Sequence, residues 1–224
     1  MPNVGAVILA AGGSSRLGRP KQLLQFRGKT LVRRIVDAAL EGGCSPIVVV
    51  VGSDKVKIAR ELEQTNAVIV ENVNWNSGMG TSIRCAVQHL IDTAPNVEAI
   101  ALLVCDQPFV DSHTIEQLVA LREKTKKAIV ASSYAGTLGV PALFHRSCAD
   151  ELLHLDEEVD DDLTVLEQLL DRVALVRQEL RCQSILAKVI HVGPSLQMQA
   201  RFPASTERGA SLVPASGSLA TGAS

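Results

Sequence analysis

The sequence predicts an α/β protein, a Rossmann-like and doubly wound fold whose mainly parallel sheet carries helices on both faces. Three observations lead there. Short runs rich in Val and Ile recur from Val4 to Ala131, segments with helical spacing of apolar residues separate them, and a loop of small residues follows the first run. A strand covered on one face alternates apolar with polar residues, whereas a strand covered on both faces reads as an unbroken apolar run. Alternation of such runs with amphipathic helices is the pattern of a sheet between two helix layers.

Taken in order, Val4 to Ala10 forms the first strand and leads into the small-residue loop. Leu31, Ile35, Val36, Ala39 and Leu40 then share one helical face. Ile47 to Val51 is the second strand, Ile58 with Leu62 marks a short helix, and Ala67 to Val70 is the third strand. Ile83, Val87, Leu90 and Ile91 line the next helix, Ala99 to Val104 the next strand, and Ile115, Leu118, Val119 and Leu121 a further helix before the strand Ala128 to Ala131. Ligands of such sheets bind beyond the carboxyl ends of the strands, which directs attention to the loops after Ala10, Val70 and Val104.

The chain of 224 residues with 46% hydrophobic composition suffices for one main domain, assigned to residues 1–178. Residues 179–224 form an atypical C-terminal segment, expected to be disordered from about Gln197, where Ala, Ser, Gly and Pro take over. With 22 Lys and Arg against 24 Asp and Glu, the net charge of -2 gives no pull toward nucleic acid or an acidic membrane surface. Any anion site is therefore local. The five cysteines form no CxxC pair and suit a reducing cytoplasm. No apolar run reaches the ~18 residues of a membrane span, and the N-terminus lacks a leader pattern, so a cytoplasmic location is expected. The histidines show no HExxH spacing, and no GxSxG elbow is present.

The loop Gly12-Gly13-Ser14-Ser15-Arg16-Leu17-Gly18-Arg19-Pro20-Lys21 joins a strand to a helical region. Missing side chains let a phosphate approach backbone N–H groups, and Arg16 and Lys21 add charge-assisted contacts, although a connection whose cations merely face water is the plainer alternative. Two known phosphate loops are excluded. Gly28-Lys29-Thr30 mimics the end of a Walker A motif, but Leu23 stands where its first glycine belongs, and the first loop does not fit GxGxxG.

Leu9-Ala10-Ala11-Gly12, Ser15-Arg16-Leu17-Gly18 and Pro20-Lys21-Gln22-Leu23-Leu24 resemble the signature of the MobA-like nucleotidyltransferases, the family of molybdenum cofactor cytidylyltransferase and its guanylyltransferase cousin. Three further segments resemble that family in the right order: Asn74-Trp75-Asn76-Ser77-Gly78-Met79-Gly80-Thr81-Ser82, Leu103-Val104-Cys105-Asp106-Gln107-Pro108-Phe109 and Gly139-Val140-Pro141-Ala142-Leu143-Phe144. The resemblance implies a sheet of the nucleotide-diphospho-sugar transferase type. It also implies transfer of CMP from CTP to the terminal phosphate of a molybdopterin-type cofactor, with release of pyrophosphate and a molybdoenzyme as recipient of the product.

By the same resemblance, nucleotide contacts are expected at Leu9, Ala10, Ala11, Gly12, Gly13, Ser15, Arg16 and Lys21, and in the second segment at Ser77, Gly78 and Ser82. Lys21, Arg16 and Asp106 are the expected catalytic residues. Lys21 would stabilise charge developing on the bridging oxygen and Arg16 would hold the outer phosphates. Asp106 ends an apolar strand, where a carboxylate is costly unless solvated, paired or bound to a cation, and Mg2+ is its natural partner. Asp106 as a helix N-cap is the alternative, countered by Asp111 standing nearer the helix start. Ser77, Thr81 and Ser82 serve equally as helix caps, and Trp75 suits either stacking on an acceptor ring or a buried anchor. The Leu-Ala-Ala-Gly form resembles the cytidine users of the family.

Two stretches depart from the family pattern. The acidic run Asp156, Glu157, Glu158, Asp160, Asp161 and Asp162 reads most simply as a solvated loop before a helix, with binding of metal or acceptor as the alternative, and the Asp-x-Asp-Thr-Pro element of relatives is missing after Val176. That second departure supports one rival, an inactive relative that binds nucleotide or cofactor and delivers it; within the same chemistry the rivals are guanylyl transfer and cytidylyl transfer to a sugar or polyol phosphate.

Overall fold

The computed structural model describes residues 2–13, 20–134, 137–155 and 188–191. Ser15, Arg16, Arg19, the acidic run from Asp156 and the tail from Gln197 lie outside the described residues. In chain order the elements are β1 (Val4–Ala10), β2 (Gln25–Phe26), β3 (Lys29–Thr30), α1 (Leu31–Glu41), β4 (Ile47–Val51), α2 (Lys55–Leu62), β5 (Val68–Glu71) and α3 (Met79–Thr93). They continue with β6 (Ala99–Val104), α4 (Ser112–Thr125), β7 (Ile129–Tyr134), β8 (Thr137–His145), α5 (Ala149–Leu153) and β9 (Lys188–His191).

The main sheet has seven strands in the order β5-β4-β1-β6-β8-β7-β9, and β2 with β3 forms a separate small hairpin. β1 pairs in parallel with β4 on one side and β6 on the other, β5 adds in parallel to β4, and β9 to β7. β8 alone runs antiparallel to its neighbours. Every residue of β1, β4 and β6 is buried, as their unbroken apolar runs require. Alternate side chains serve opposite faces. Val7 and Leu9 join Ile83, Val87 and Leu90 of α3, while Ala6, Ile8 and Ala10 join Val32 and Ile35 of α1, Ile58 of α2 and Ile115 and Leu118 of α4. Burying each of the larger side chains contributes about 1.5–3 kcal/mol before the entropy cost of ordering the chain.

Helix starts follow sequence chemistry. The Thr30 hydroxyl accepts from Arg33 N at the start of α1 (3.4 Å) and donates to Glu61 Oε2 of α2 (2.9 Å). At α4 the Asp111 carboxylate accepts from both the backbone N (2.9 Å) and the hydroxyl (2.8 Å) of Thr114. The capping role therefore falls to Asp111, which leaves Asp106 out of the helix.

Several details differ from the sequence expectations. β5 is displaced by one residue and forms a sheet edge with Val68 exposed, and Leu40 is exposed on the outer side of α1. β7 extends to Tyr134 because β8 pairs with it. Gly139-Val140-Pro141 sits inside β8, where Pro removes a ladder donor, so the segment does not read as a strand. The structure accommodates it with a register shift: Ala131 faces Ala142 but Ser132 faces Gly139, leaving Val140 and Pro141 between the two pairs. Lys188–His191 supplies an edge strand from a stretch of weak periodicity. Among the described residues no helix is long and apolar enough to cross a membrane.

Phe144 of β8 is fully buried. Phe144→Ala is expected to cost about 3–5 kcal/mol in urea unfolding, against less than about 0.5 kcal/mol for Val73→Ala at an exposed loop position.

Candidate functional site

β1 and β6 lie side by side with Leu9 opposite Val104, and the pairing continues until Cys105 N donates to the Leu9 carbonyl at 3.4 Å. Asp106 is thus the second residue past β6, within reach of Lys21 at the far end of the loop that leaves β1. Here the chain order reverses, since β4 and β5 lie on one side of β1 and β6 on the other, and connections diverge to open a crevice.

The loop after β1 is fixed at its two ends by one amide. Gln22 is buried in the short 3-10 turn Lys21–Leu23, and its Nε2 donates to the carbonyls of Ala10 (2.9 Å) and Gly12 (2.7 Å). Its Oε1 is buried and has no hydrogen-bond partner among the described residues. Lys21, at the start of that turn, runs its stem past Gly12 and places Nζ 2.7 Å from Asp106 Oδ2. The two side chains are 37% and 41% exposed, so solvent screens the pair and its contribution to stability is only about 0–1 kcal/mol.

The loop after β6 is held just as firmly. Gln107 Nε2 donates to the Val140 carbonyl at 2.8 Å, which ties the loop to the interrupted ladder of β8. Arg34 of α1 donates through Nη2 to the Pro108 carbonyl (3.1 Å) and lies 5.1 Å from the Phe26 ring centre, while Phe26 meets Phe109 edge to face at 5.4 Å. Cys105 is buried, and burial together with the adjacent Asp106 charge pushes its thiol up to about 12. The thiol stays protonated at neutral pH and packs as a small apolar group.

The third loop, after β5, is organised by buried Asn72. Its N donates to the Val51 carbonyl (2.9 Å), its Nδ2 to the hydroxyls of Thr81 (2.8 Å) and Ser82 (3.0 Å), and its Oδ1 accepts from Asn74 N (3.0 Å). Gly78, with φ 106°, stands at the N-cap of α3 without a side-chain cap, so none of the expected hydroxyls caps that helix. Thr81 and Ser82 are instead buried in the Asn72 network and Ser77 is exposed. Trp75 lies half-buried with its indole against Gly13 and Gly52, an anchor between loops.

Of the residues singled out in the sequence, Lys21, Asp106 and Gly12 are brought together. Leu9, Ala10 and Ala11 are buried with their side chains in the core, and the carbonyls of Leu9 and Ala10 accept from Cys105 N and Gln22 Nε2. Ser77 and Gly78 follow Trp75 in the third loop, and Ser15 and Arg16 lie outside the described residues. Gln22, Gln107, Arg34 and Asn72 were not among the expected site residues. Gln22 and Gln107 stand inside the motif segments, next to Lys21 and Asp106, but a side-chain hydrogen bond to a distant carbonyl leaves no periodicity. For a divalent metal ion, Asp106 offers a hard, half-exposed carboxylate, which such a cation could take by displacing the Lys21 ammonium. Among the described residues no cluster of three or more His, Cys, Asp or Glu forms a metal cage.

Comparison with known proteins gives a consistent picture. The profile of the MobA-like NTP transferase domain matches residues 6–187. The chain is 32% identical to nicotine blue oxidoreductase of Paenarthrobacter nicotinovorans over 65% of its length and 69% of the relative. It is 25% identical to a probable molybdenum cofactor guanylyltransferase of Bacillus cytotoxicus over 76% of its length and 81% of the relative. It spans only 28% of the bifunctional GlmU protein of Sorangium cellulosum, at 33% identity over 56% of its own length. The crystal structure of Rv0371c from Mycobacterium tuberculosis superposes with a TM-score of 0.62 at 26% identity, covering 86% of this chain and 89% of that one, and a second structure of Rv0371c is a complex with manganese. The fold is that of the nucleotide-diphospho-sugar transferases.

Two measurements check the energetics of the crevice. Gln22→Leu removes both bonds to the loop and is expected to cost about 1–3 kcal/mol in urea unfolding, whereas Lys21→Met is expected to cost less than about 1 kcal/mol. The raised thiol of Cys105 predicts a pH effect with a definite sign. Below its ordinary value of 9.0 it is protonated in both states; between there and about 12 the unfolded chain loses the proton first, so stability falls as pH rises. Accordingly, the Cys105 peptide should resist iodoacetamide at pH 8 in folded protein and react in urea.

Proposed function

The chain belongs to the MobA-like NTP transferase family, and from that premise we propose that it transfers CMP from CTP to the terminal phosphate of a molybdopterin-type cofactor, with Mg2+ as the cofactor. An acceptor phosphate oxygen forms a bond to the α-phosphorus, the bond from that phosphorus to the bridging oxygen breaks, and pyrophosphate leaves. Both reactants are polyanions, so the protein's task is to neutralise charge and align the two groups. The observation that carries this reading is the 2.7 Å contact between Lys21 and Asp106, which joins the first loop to the tip of β6 in one crevice.

In this reading the backbone of residues 9–13 cradles the triphosphate, with Ser77, Gly78 and Ser82 on the side of the third loop. Lys21 neutralises charge beside the reacting phosphorus, and Arg16 holds the outer phosphates as the family signature implies. Asp106 holds the metal ion, which when bound supplies positive charge to the phosphate oxygens. The half-exposed ion pair is cheap to open. A polyanion for Lys21 and a dication for Asp106 each offer more charge than the partner they replace, so the free protein keeps its site satisfied without locking it.

The base assignment follows the Leu-Ala-Ala-Gly form, in which the Ala11 methyl narrows the room beside the base; one methyl discriminates by about 1–3 kcal/mol. The guanylyltransferase relative makes GTP the natural competitor in any assay. A product of this kind passes to a molybdoenzyme. A second reading, binding and delivery of nucleotide or cofactor without transfer, is favoured by the missing Asp-x-Asp-Thr-Pro element after Val176.

Pyrophosphate release, followed with molybdopterin cofactor and CTP or GTP in parallel, is expected with CTP and Mg2+. Activity with GTP alone overturns the base assignment, and tight CTP binding without pyrophosphate favours delivery. Asp106→Asn and Lys21→Ala are each expected to lower kcat about 10²–10³-fold with melting temperature preserved, and unchanged rates in both would remove the mechanism.

A further inference from the structure

We infer that Trp75 is a positioning residue that sets the loop after β1 and couples it to the Asn72–Ser82 segment; what that loop holds rests on the nucleotide reading above. A Cβ placed on Gly13 would lie 2.7 Å from Cζ3 and 3.0 Å from Cη2 of Trp75. One placed on Gly52, at the end of β4, would lie 2.7 Å from Cγ and 2.9 Å from Cδ1 of the same ring and 2.7 Å from the Ala11 carbonyl oxygen. The six-membered ring thus rests on the phosphate-type loop and the five-membered ring on the β4 loop. Gly28, Gly43 and Gly78 take positive φ, but Gly13 and Gly52 are not among the glycines that do. Close contact rather than backbone freedom excludes a side chain at these two positions, with the indole alone at Gly13 and the indole together with the Ala11 carbonyl at Gly52.

The ring is itself anchored. Trp75 opens the turn Trp75–Ser77, whose Ser77 N donates to the Asn74 carbonyl (3.0 Å); Asn74 N in turn donates to Asn72 Oδ1 (3.0 Å), and Asn72 is bonded to β4 and to α3. An indole has two side-chain torsions, so it transmits position from this buried network with little give. Gln22 fixes the carbonyls of Ala10 and Gly12, and Trp75 fixes the space beside Gly13. The backbone that meets a triphosphate is therefore set from one end by an amide and from the flank by a ring, and a change in the third loop reaches the first through that ring.

The test is a double-mutant cycle read by calorimetric titration with CTP and Mg2+, using wild type, Gly13→Ala, Trp75→Ala, the double variant and Trp75→Phe. Gly13→Ala and Trp75→Ala should each weaken binding about tenfold, within the range that contacting residues show, while the double variant should bind no worse than Trp75→Ala because the clash leaves with the ring. Trp75→Phe should restore binding to within about threefold of wild type. Trp75 is the single tryptophan of the chain, so its emission in wild-type protein should shift on saturation with CTP and Mg2+, a readout that needs no variant to fold. Losses that multiply in the double variant, wild-type affinity in Trp75→Ala, or unchanged emission at saturation would overturn the inference while leaving the nucleotide reading intact. Wild-type protein that binds neither CTP nor GTP overturns both.

Discussion

The parallel pairing of β1 with β6 is the constraint on which the rest of the site depends. With Leu9 opposite Val104, two strands far apart in sequence end at the same level, and their loops leave the sheet side by side. Because β4 and β5 occupy the other flank of β1, the chain beyond β1 and the chain beyond β6 part company, and the crevice between them is a product of topology rather than of any loop's own conformation. The apolar runs of β1, β4 and β6, buried on both faces, make that register expensive to change. A slip by one residue would exchange the side chains committed to α3 with those committed to α1 and α4.

Three side-chain amides then turn loops into a fixed surface. Gln22, Gln107 and Asn72 each bond a backbone carbonyl or hydroxyl contributed by another part of the chain, and each sits beside one of the three strand ends. The arrangement satisfies backbone groups that would otherwise face the interior, and it removes the freedom that a glycine-containing loop would have. Among the described residues the side-chain oxygens of Gln22 and Gln107 find no hydrogen-bond partner, which is the cost of aiming both amides inward.

Against this rigid frame the charges are held loosely. Lys21 and Asp106 are close enough for a strong hydrogen bond, yet their exposure keeps the pair from contributing much to folding. Stability resides in the core and in the amides, while the ionic groups remain exchangeable. Such a division leaves the charged groups able to change partners without disturbing the fold.

The strands β1, β4 and β6 were legible with their boundaries because burial on both faces writes itself into a continuous apolar run, a local property. The helices were legible from their spacing, and Lys21 and Asp106 from motifs. β8 was hidden because Val140-Pro141 interrupts a strand that only its neighbours could complete, and β9 because an edge strand needs little apolar character. The sequence by itself determined the layers, the order of strand and helix, and the chemical character of each loop. Tertiary structure alone decided that Lys21 meets Asp106 across 85 positions, that the Gln22 amide bonds the carbonyls of Ala10 and Gly12, and that Gly13 and Gly52 lie bare against the Trp75 ring. The physical reason is that strand register and side-chain reach are non-local: they depend on which strands become neighbours, and no window of sequence contains that.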